Sequence, residues 1–278
     1  MSRRRRFRPR VWLWAMVGGW LGFALGPYVW MLFTSIKPTR ELYRFPVQYF
    51  PHHPTLRAYG LLLRTTPFPE FMAHSLVVAA STVLATLLLA LPAAFSLSRH
   101  RFRGKKAILS ILVSVQFFPS VLLVLSLFPI LRALDLLNTL VGLVVVYTAF
   151  VTPFSVWLLK GFFDGIPTEV DEAALVDGCS EVRALRHVLM PILVPGVVAA
   201  ATYIFIFSWN EFLFALTFTS SNQARTLPIG LDSFIGNFLI RWNLLTAGGV
   251  ISAVPIFLFF LLVQRRLISG LAAGAVKG

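Results

Sequence analysis

A chain of 278 residues that is 57% hydrophobic and only 13% charged cannot clothe a soluble domain, whose charged fraction is about 25%. With 25 basic and 11 acidic side chains and a single cysteine, it is not a soluble globular enzyme, a disordered tail or a disulfide-stapled secreted scaffold. The formal charge of +14 would suit nucleic acid in a soluble chain, so the placement of the charges decides.

The first ten residues hold Arg3, Arg4, Arg5, Arg6, Arg8 and Arg10 and no acid, and lead into an apolar run at 11–36. That run exceeds the about 7–15 apolar residues of a signal peptide and reads as an uncleaved anchor. His52 and His53 follow in a proline-rich loop, with no further ligand at metal spacing, and read as solvated. A second run covers 71–98, followed by Arg99, Arg101, Arg103, Lys105 and Lys106; further runs cover 107–131, 136–159, 188–210 and 242–264. A bilayer core takes about 20 apolar residues in a helix, and a charge at its centre costs about 2.5–3.5 kcal/mol. The pattern predicts an all-α membrane protein of six transmembrane helices, a single domain over 1–278. Pro92, Pro119, Pro129, Pro153, Pro195 and Pro255 lie in or near these runs. Each removes a backbone donor, and together they suggest bent helices around a pathway.

Basic residues collect at the N-terminus, after the second run, around the loop after the fourth (Lys160, Arg183, Arg186) and at the end (Arg265, Arg266, Lys277). The positive-inside rule puts both termini in the cytoplasm. The net charge is then a topology signal with membrane lipid as its partner. No aromatic-interleaved basic patch lies on a soluble face, so nucleic acid is excluded.

Six of the eleven acids fall between the fourth and fifth runs: Asp164, Glu169, Asp171, Glu172, Asp177 and Glu181. This cytoplasmic loop, about 161–190, predicts two short helices. Pro167 and Thr168 open the first, with Thr168 as N-cap and Asp171 in a near capping box. Gly178 ends it in a left-handed turn, and Ser180 caps a second helix that runs into span five through Pro191 and Pro195. Val170, Ala173, Ala174 and Leu175 form a small apolar face framed by acids. An acidic helix suits an anionic leaflet poorly, which favours docking into a cytoplasmic partner's groove over lying on headgroups.

Glu172-Ala173-Ala174, then Gly178, Val188 and Pro191, resembles the EAA loop of ABC-importer permeases, with Val188 and Met190 in place of the pattern's isoleucine and leucine. Ser208-Trp209-Asn210-Glu211-Phe212, Thr226-Leu227-Pro228-Ile229-Gly230-Leu231 and the tail from Gly270 to Gly278 resemble the carbohydrate branch, and within it the smaller, maltose-type G permease. The resemblance implies a subunit of a binding-protein-dependent sugar importer in a prokaryotic inner membrane. It implies a homologous second permease, two cytosolic ATPase subunits carrying ATP and Mg, and an extracytoplasmic sugar-binding protein. Glu172, Ala173, Ala174, Asp177, Gly178 and Pro191 would form the ATPase-coupling element, and the C-terminal tail would reach the ATPase interface.

Glu211 is the acid beside an otherwise apolar span, either a substrate or gate contact or a snorkelling or capped interfacial residue. Trp209 and Asn210 are placed to stack on and hydrogen-bond a sugar, although tryptophan also belongs to the interfacial belt. Gln116, Tyr147 and Asn138 are further candidates for a polar lining. No Ser/His/Asp or Cys/His arrangement and no phosphate-cradling glycine loop is present. The chain is therefore expected to be no enzyme and to bind no metal or cofactor. The rival readings are a secondary transporter or channel working without an ATPase, which needs coupling-ion residues within its spans, and an intramembrane protease, which needs a catalytic constellation.

Overall fold

The computed structural model describes residues 11–236 and 238–275, with side chains described between 12 and 264. The arginines at 3–10, Lys277 and the last residues of the tail lie outside the described residues, as do the side chains of Arg265 and Arg266. In chain order the helices are α1 (Val11–Ser35), α2 (Thr39–Leu42), α3 (Arg57–Thr65), α4 (Phe68–Arg99), α5 (Lys105–Val115), α6 (Ser120–Ala133) and α7 (Leu140–Asp164). Next come α8 (Thr168–Val176), α9 (Glu181–Ala184), a π-turn (Leu185–Leu189), α10 (Met190–Asn210), α11 (Leu213–Phe218), α12 (Leu227–Asp232) and α13 (Trp242–Ala275).

Among the described residues, five single stretches are long and apolar enough to cross a bilayer: α1, α4, α7, the rod Glu181–Asn210 and α13 through Gln264. The span expected at 107–131 is a bent pair, α5 and α6, which meet at 99° and bring the candidate spans to six if counted as one. At about 1.5 Å per residue, neither half alone reaches across a core about 30 Å thick. The break has a local cause. Pro119 offers no N–H, and the amides of Gln116, Phe117 and Phe118 turn back on carbonyls three residues earlier at 3.1, 3.1 and 3.2 Å.

The chain divides into two compact units, one holding the residues up to Thr66 with Phe234–Ile251, the other Pro67–Ser233 with the residues from Ser252 on. In the first, α1 exposes Trp12, Trp14, Trp20 and Phe23, apolar surface that water covers badly. Its end is fastened. Lys37, 3% exposed, donates to the carbonyls of Gln48 and Tyr49 at 2.6 and 3.1 Å, with its ammonium 4.6 Å from the Trp30 ring centre. Burial pushes Lys37 below the usual ammonium range, with nearby Glu41 opposing.

In the second unit α4 packs chiefly on α7. Ser75, Ala79, Thr82, Thr86, Ala90 and Ala94 are all buried and recur every three or four residues, one face of the helix. Small side chains let helix backbones approach closely in a membrane. The same device brings α10 to α7, where a Cβ on Gly196 would lie 2.5 Å from Phe162 Cγ. One apolar cluster gathers Ala90, Ala94, Leu159, Phe163, Ile166, Leu189 and Leu193, under the segment described next.

Candidate functional site

Residues 164–191 fold as the sequence predicts in outline. Gly178 has φ +84°. Its amide reaches Leu175 O at 3.0 Å and the Cys179 amide reaches Ala174 O at 3.0 Å, the paired bonds of a Schellman close. Only glycine enters that φ region without strain. After Ser180, α9, the π-turn and α10 run on as one rod. The π-turn precedes Pro191, whose ring would crowd a tighter helical turn.

Two local expectations are corrected. The N-cap of α8 is Pro167, with no side-chain cap, and Thr168 is already helical. Asp171 forms no capping box because its carboxylate is used elsewhere. The face drawn through Val170, Ala173, Ala174 and Leu175 also divides. Ala174 is 5% exposed and Val170 packs inward on the apolar cluster, whereas Glu172, Ala173, Leu175, Val176 and Asp177 face outward.

Arg99, which sequence reasoning used only as a topology charge, holds this segment to the bundle. Standing at the end of α4, its guanidinium donates to the carbonyls of Phe163 and Ile166, both at 3.1 Å. Its Nε pairs with Asp171 on α8; the two side chains are 10% and 17% exposed. Ser98 and Lys160 bind the two oxygens of Asp164 at 2.6 and 2.5 Å, closing the α4–α7 corner beside it. His100 and Glu181 stand 3.6 Å apart and largely in solvent, where an ion pair contributes little. One planar group thus joins the ends of α4 and α7 to α8. No single-sequence signal announces it, because its partners lie far along the chain.

The pathway candidates separate into buried and open groups. Glu211 is 9% exposed. Its carboxylate accepts from Tyr147 OH at 2.7 Å and from the amides of Phe214 and Ala215 at 2.9 and 3.1 Å, so it caps α11 where α10 ends. Trp209, 2% exposed, donates Nε1 to Ser252 O at 3.2 Å and stacks on Phe205, ring centres 5.7 Å apart. Asn210 is exposed, its amide nitrogen held by Ile206 O at 2.8 Å. Gln116, at the α5–α6 break, donates to Phe150 O at 3.3 Å. Asn138 is a clasp: its Oδ1 accepts from Ser220 and Ser221 amides, each at 2.9 Å, and its Nδ2 donates to Ser221 Oγ at 2.8 Å. Among the described residues no group of three or more His, Cys, Asp or Glu is placed to hold a metal ion.

Comparison with known proteins gives consistent matches. Residues 83–272 match the family described as binding-protein-dependent transport system inner membrane component. The chain is 39% identical over 254 residues to the sulfoquinovosyl glycerol transport system permease protein SmoH of Agrobacterium fabrum, covering 91% of this chain and 89% of that protein. It is 34% identical over 257 residues to the trehalose/maltose transport system permease protein MalG of Thermococcus litoralis, covering 91% and 92%. Its fold matches a chain from the crystal structure of a bacterial ABC transporter involved in the import of the acidic polysaccharide alginate, with TM-score 0.81, 21% identity, and 92% and 95% of the two chains covered.

Proposed function

Since the chain belongs to the binding-protein-dependent transport system inner membrane components, and there to the permeases of carbohydrate ABC importers, we propose that it is the G-type permease of an ATP-driven sugar importer. It forms half of a translocation pathway, and a homologous permease supplies the rest. A binding protein delivers sugar from outside, and two ATPase subunits carrying ATP and Mg lie on the cytoplasmic side with both termini and the loop at 161–190. The arginine-rich sequences flanking the spans support that orientation.

The observation that carries the reading is the hinge at Gly178 with α8 hung from Arg99. Glu172, Ala173 and Asp177 face outward for a cleft on the ATPase. Ala174 faces inward, Gly178 fixes the turn, and Pro191 marks where the second arm becomes span five. A push on α8 then reaches α4 and α7 through Arg99, and α10 through the continuous rod. The tail from Gly270 extends α13 toward the same partner.

For the sugar itself, Asn210 and Gln116 provide open polar groups. Trp209, Tyr147 and Glu211 hold the break between α10 and α11 that presents Asn210, and Gln116 lies at the α5–α6 break. A carboxylate engaged by three donors is poorly placed to bind a coupling ion, which argues against a transporter working without an ATPase.

The test is reconstitution. The chain is expected to copurify with a second permease and an ATPase, and to import sugar only with ATP and the binding protein. Uptake by the chain alone in proteoliposomes without ATP refutes the proposal. Binding-protein-dependent ATP hydrolysis across a panel of sugars identifies the cargo.

A further inference from the structure

A cavity of about 790 Å³ lies wholly within the first unit, in the segment following α1. That volume falls inside the roughly 300–1,000 Å³ of small-molecule sites. Its wall carries Lys37, Arg40, Arg44 and Arg57 and one acid, Glu41. The acid does not neutralise the arginines. Glu41 is buried, and its Oε2 and Oε1 accept from the backbone amides of His52 and His53 at 3.1 and 3.0 Å.

Lys37 is likewise committed, to the carbonyls of Gln48 and Tyr49. Arg40, Arg44 and Arg57 are exposed, and among the described residues none of them forms an ion pair. Three arginines therefore line one cavity with no ion pair to its single acid, and a guanidinium is a planar fork shaped for an oxyanion. On the same wall Gln48 Oε1 is buried with no hydrogen-bond partner. An orphaned buried acceptor in a cavity calls for a donor from outside the chain.

We propose that this cavity binds the oxyanion of a hydroxylated small molecule. A carboxylate, sulfonate or phosphate takes the arginine forks, and a neighbouring hydroxyl donates to Gln48 Oε1. A neutral sugar supplies only the hydroxyl, and a bare anion only the charge. Two sources carry both groups: an acidic saccharide, and a phospholipid headgroup bearing a free glycerol. The inference does not depend on the coupling assignment, because every residue in it precedes α4 or lies at the start of α13.

The experiment uses the full chain, with the subunits that copurify with it, in phosphatidylcholine nanodiscs. Labelling of Arg40, Arg44 and Arg57 by phenylglyoxal is followed by peptide mass spectrometry, with exposed Arg101 as internal reference. One arm adds glucuronate or, as neutral control, glucose; the other replaces part of the lipid with phosphatidylglycerol and adds no sugar. Slower labelling of the three arginines in either arm, with Arg101 unchanged, is the expected result, and the arm identifies the source. Binding of the effective anion should weaken about tenfold in Arg44→Gln, equivalent to about 1.4 kcal/mol, and should weaken with added salt. Equal protection by glucose, or no protection in either arm, overturns the proposal, and neither outcome depends on whether the variant folds.

Discussion

Replacing Arg99 with methionine keeps most of the side chain's apolar stem and removes one planar charge from three partners. The group lost donates to the Phe163 and Ile166 carbonyls and pairs with Asp171. Both charged side chains are under a fifth exposed, so solvent does little to replace the pair. Removing one member of a buried pair costs about 3–5 kcal/mol, much of it from the charge left behind. The loss falls on the joint between α8 and the ends of α4 and α7, and at about 1.4 kcal/mol per decade it corresponds to roughly two to three and a half decades in local opening.

Hydrogen exchange of residues 167–179 in the assembled importer reads that opening directly. Arg99→Met should speed exchange in α8 by roughly that factor and leave the α1 amides unchanged. The ATP consumed per sugar imported should rise, because a loosened α8 can move without moving α4. Arg99→Lys keeps the charge but loses the fork, so its effect should be intermediate. Adding Asp171→Asn to Arg99→Met should restore part of the loss, with non-additivity of about 0.5–3 kcal/mol. Unchanged exchange in α8 together with unchanged uptake in Arg99→Met refutes the assignment of Arg99 as the joint.

Three further outcomes test neighbouring parts. A Cβ at Gly178 would meet no atom within 4 Å, so Gly178→Val should act through backbone strain alone, about 1–3 kcal/mol. It should uncouple ATP hydrolysis from uptake while leaving membrane insertion intact, and Gly178→Asn, which tolerates the left-handed region, should be milder in the same ATPase-to-uptake ratio. Glu172 is exposed, so Glu172→Lys should leave the melting temperature unchanged and loosen the ATPase in a copurification assay. Tyr147→Phe removes one donor from the buried Glu211 carboxylate, about 1.5–3 kcal/mol. A thermal-shift assay should show that loss with the sugar KM unchanged, whereas Asn210→Ala should raise the KM.

The apolar runs located the membrane helices because a bilayer core imposes length and low charge on each helix separately. Gly178 was legible for a similar reason: a helix followed by a left-handed residue is settled within a few residues. Span three was half legible. Pro119 marked a break in the ladder, but a 99° bend also needs the tightened turn at Gln116–Phe118, which no residue type there demands.

The acids show where local reading stops. Asp171 sits three residues after Thr168 and looks like half of a capping box, yet its carboxylate goes to Arg99, which arrives from the far end of another helix. An acid buried near apolar helices must find donors, and the sequence reveals its fate only when those donors are close by. Glu211 meets that condition in part. The amides of Phe214 and Ala215 that it accepts from follow within four residues, as donors to an acid ahead of a short helix should. Its third donor, Tyr147, comes from α7 and became visible only when the chain folded. The same division explains why the hinge at Gly178 was readable and the joint at Arg99 was not: a turn is closed by its own neighbours, whereas a joint between helices is made by groups that sequence distance keeps apart.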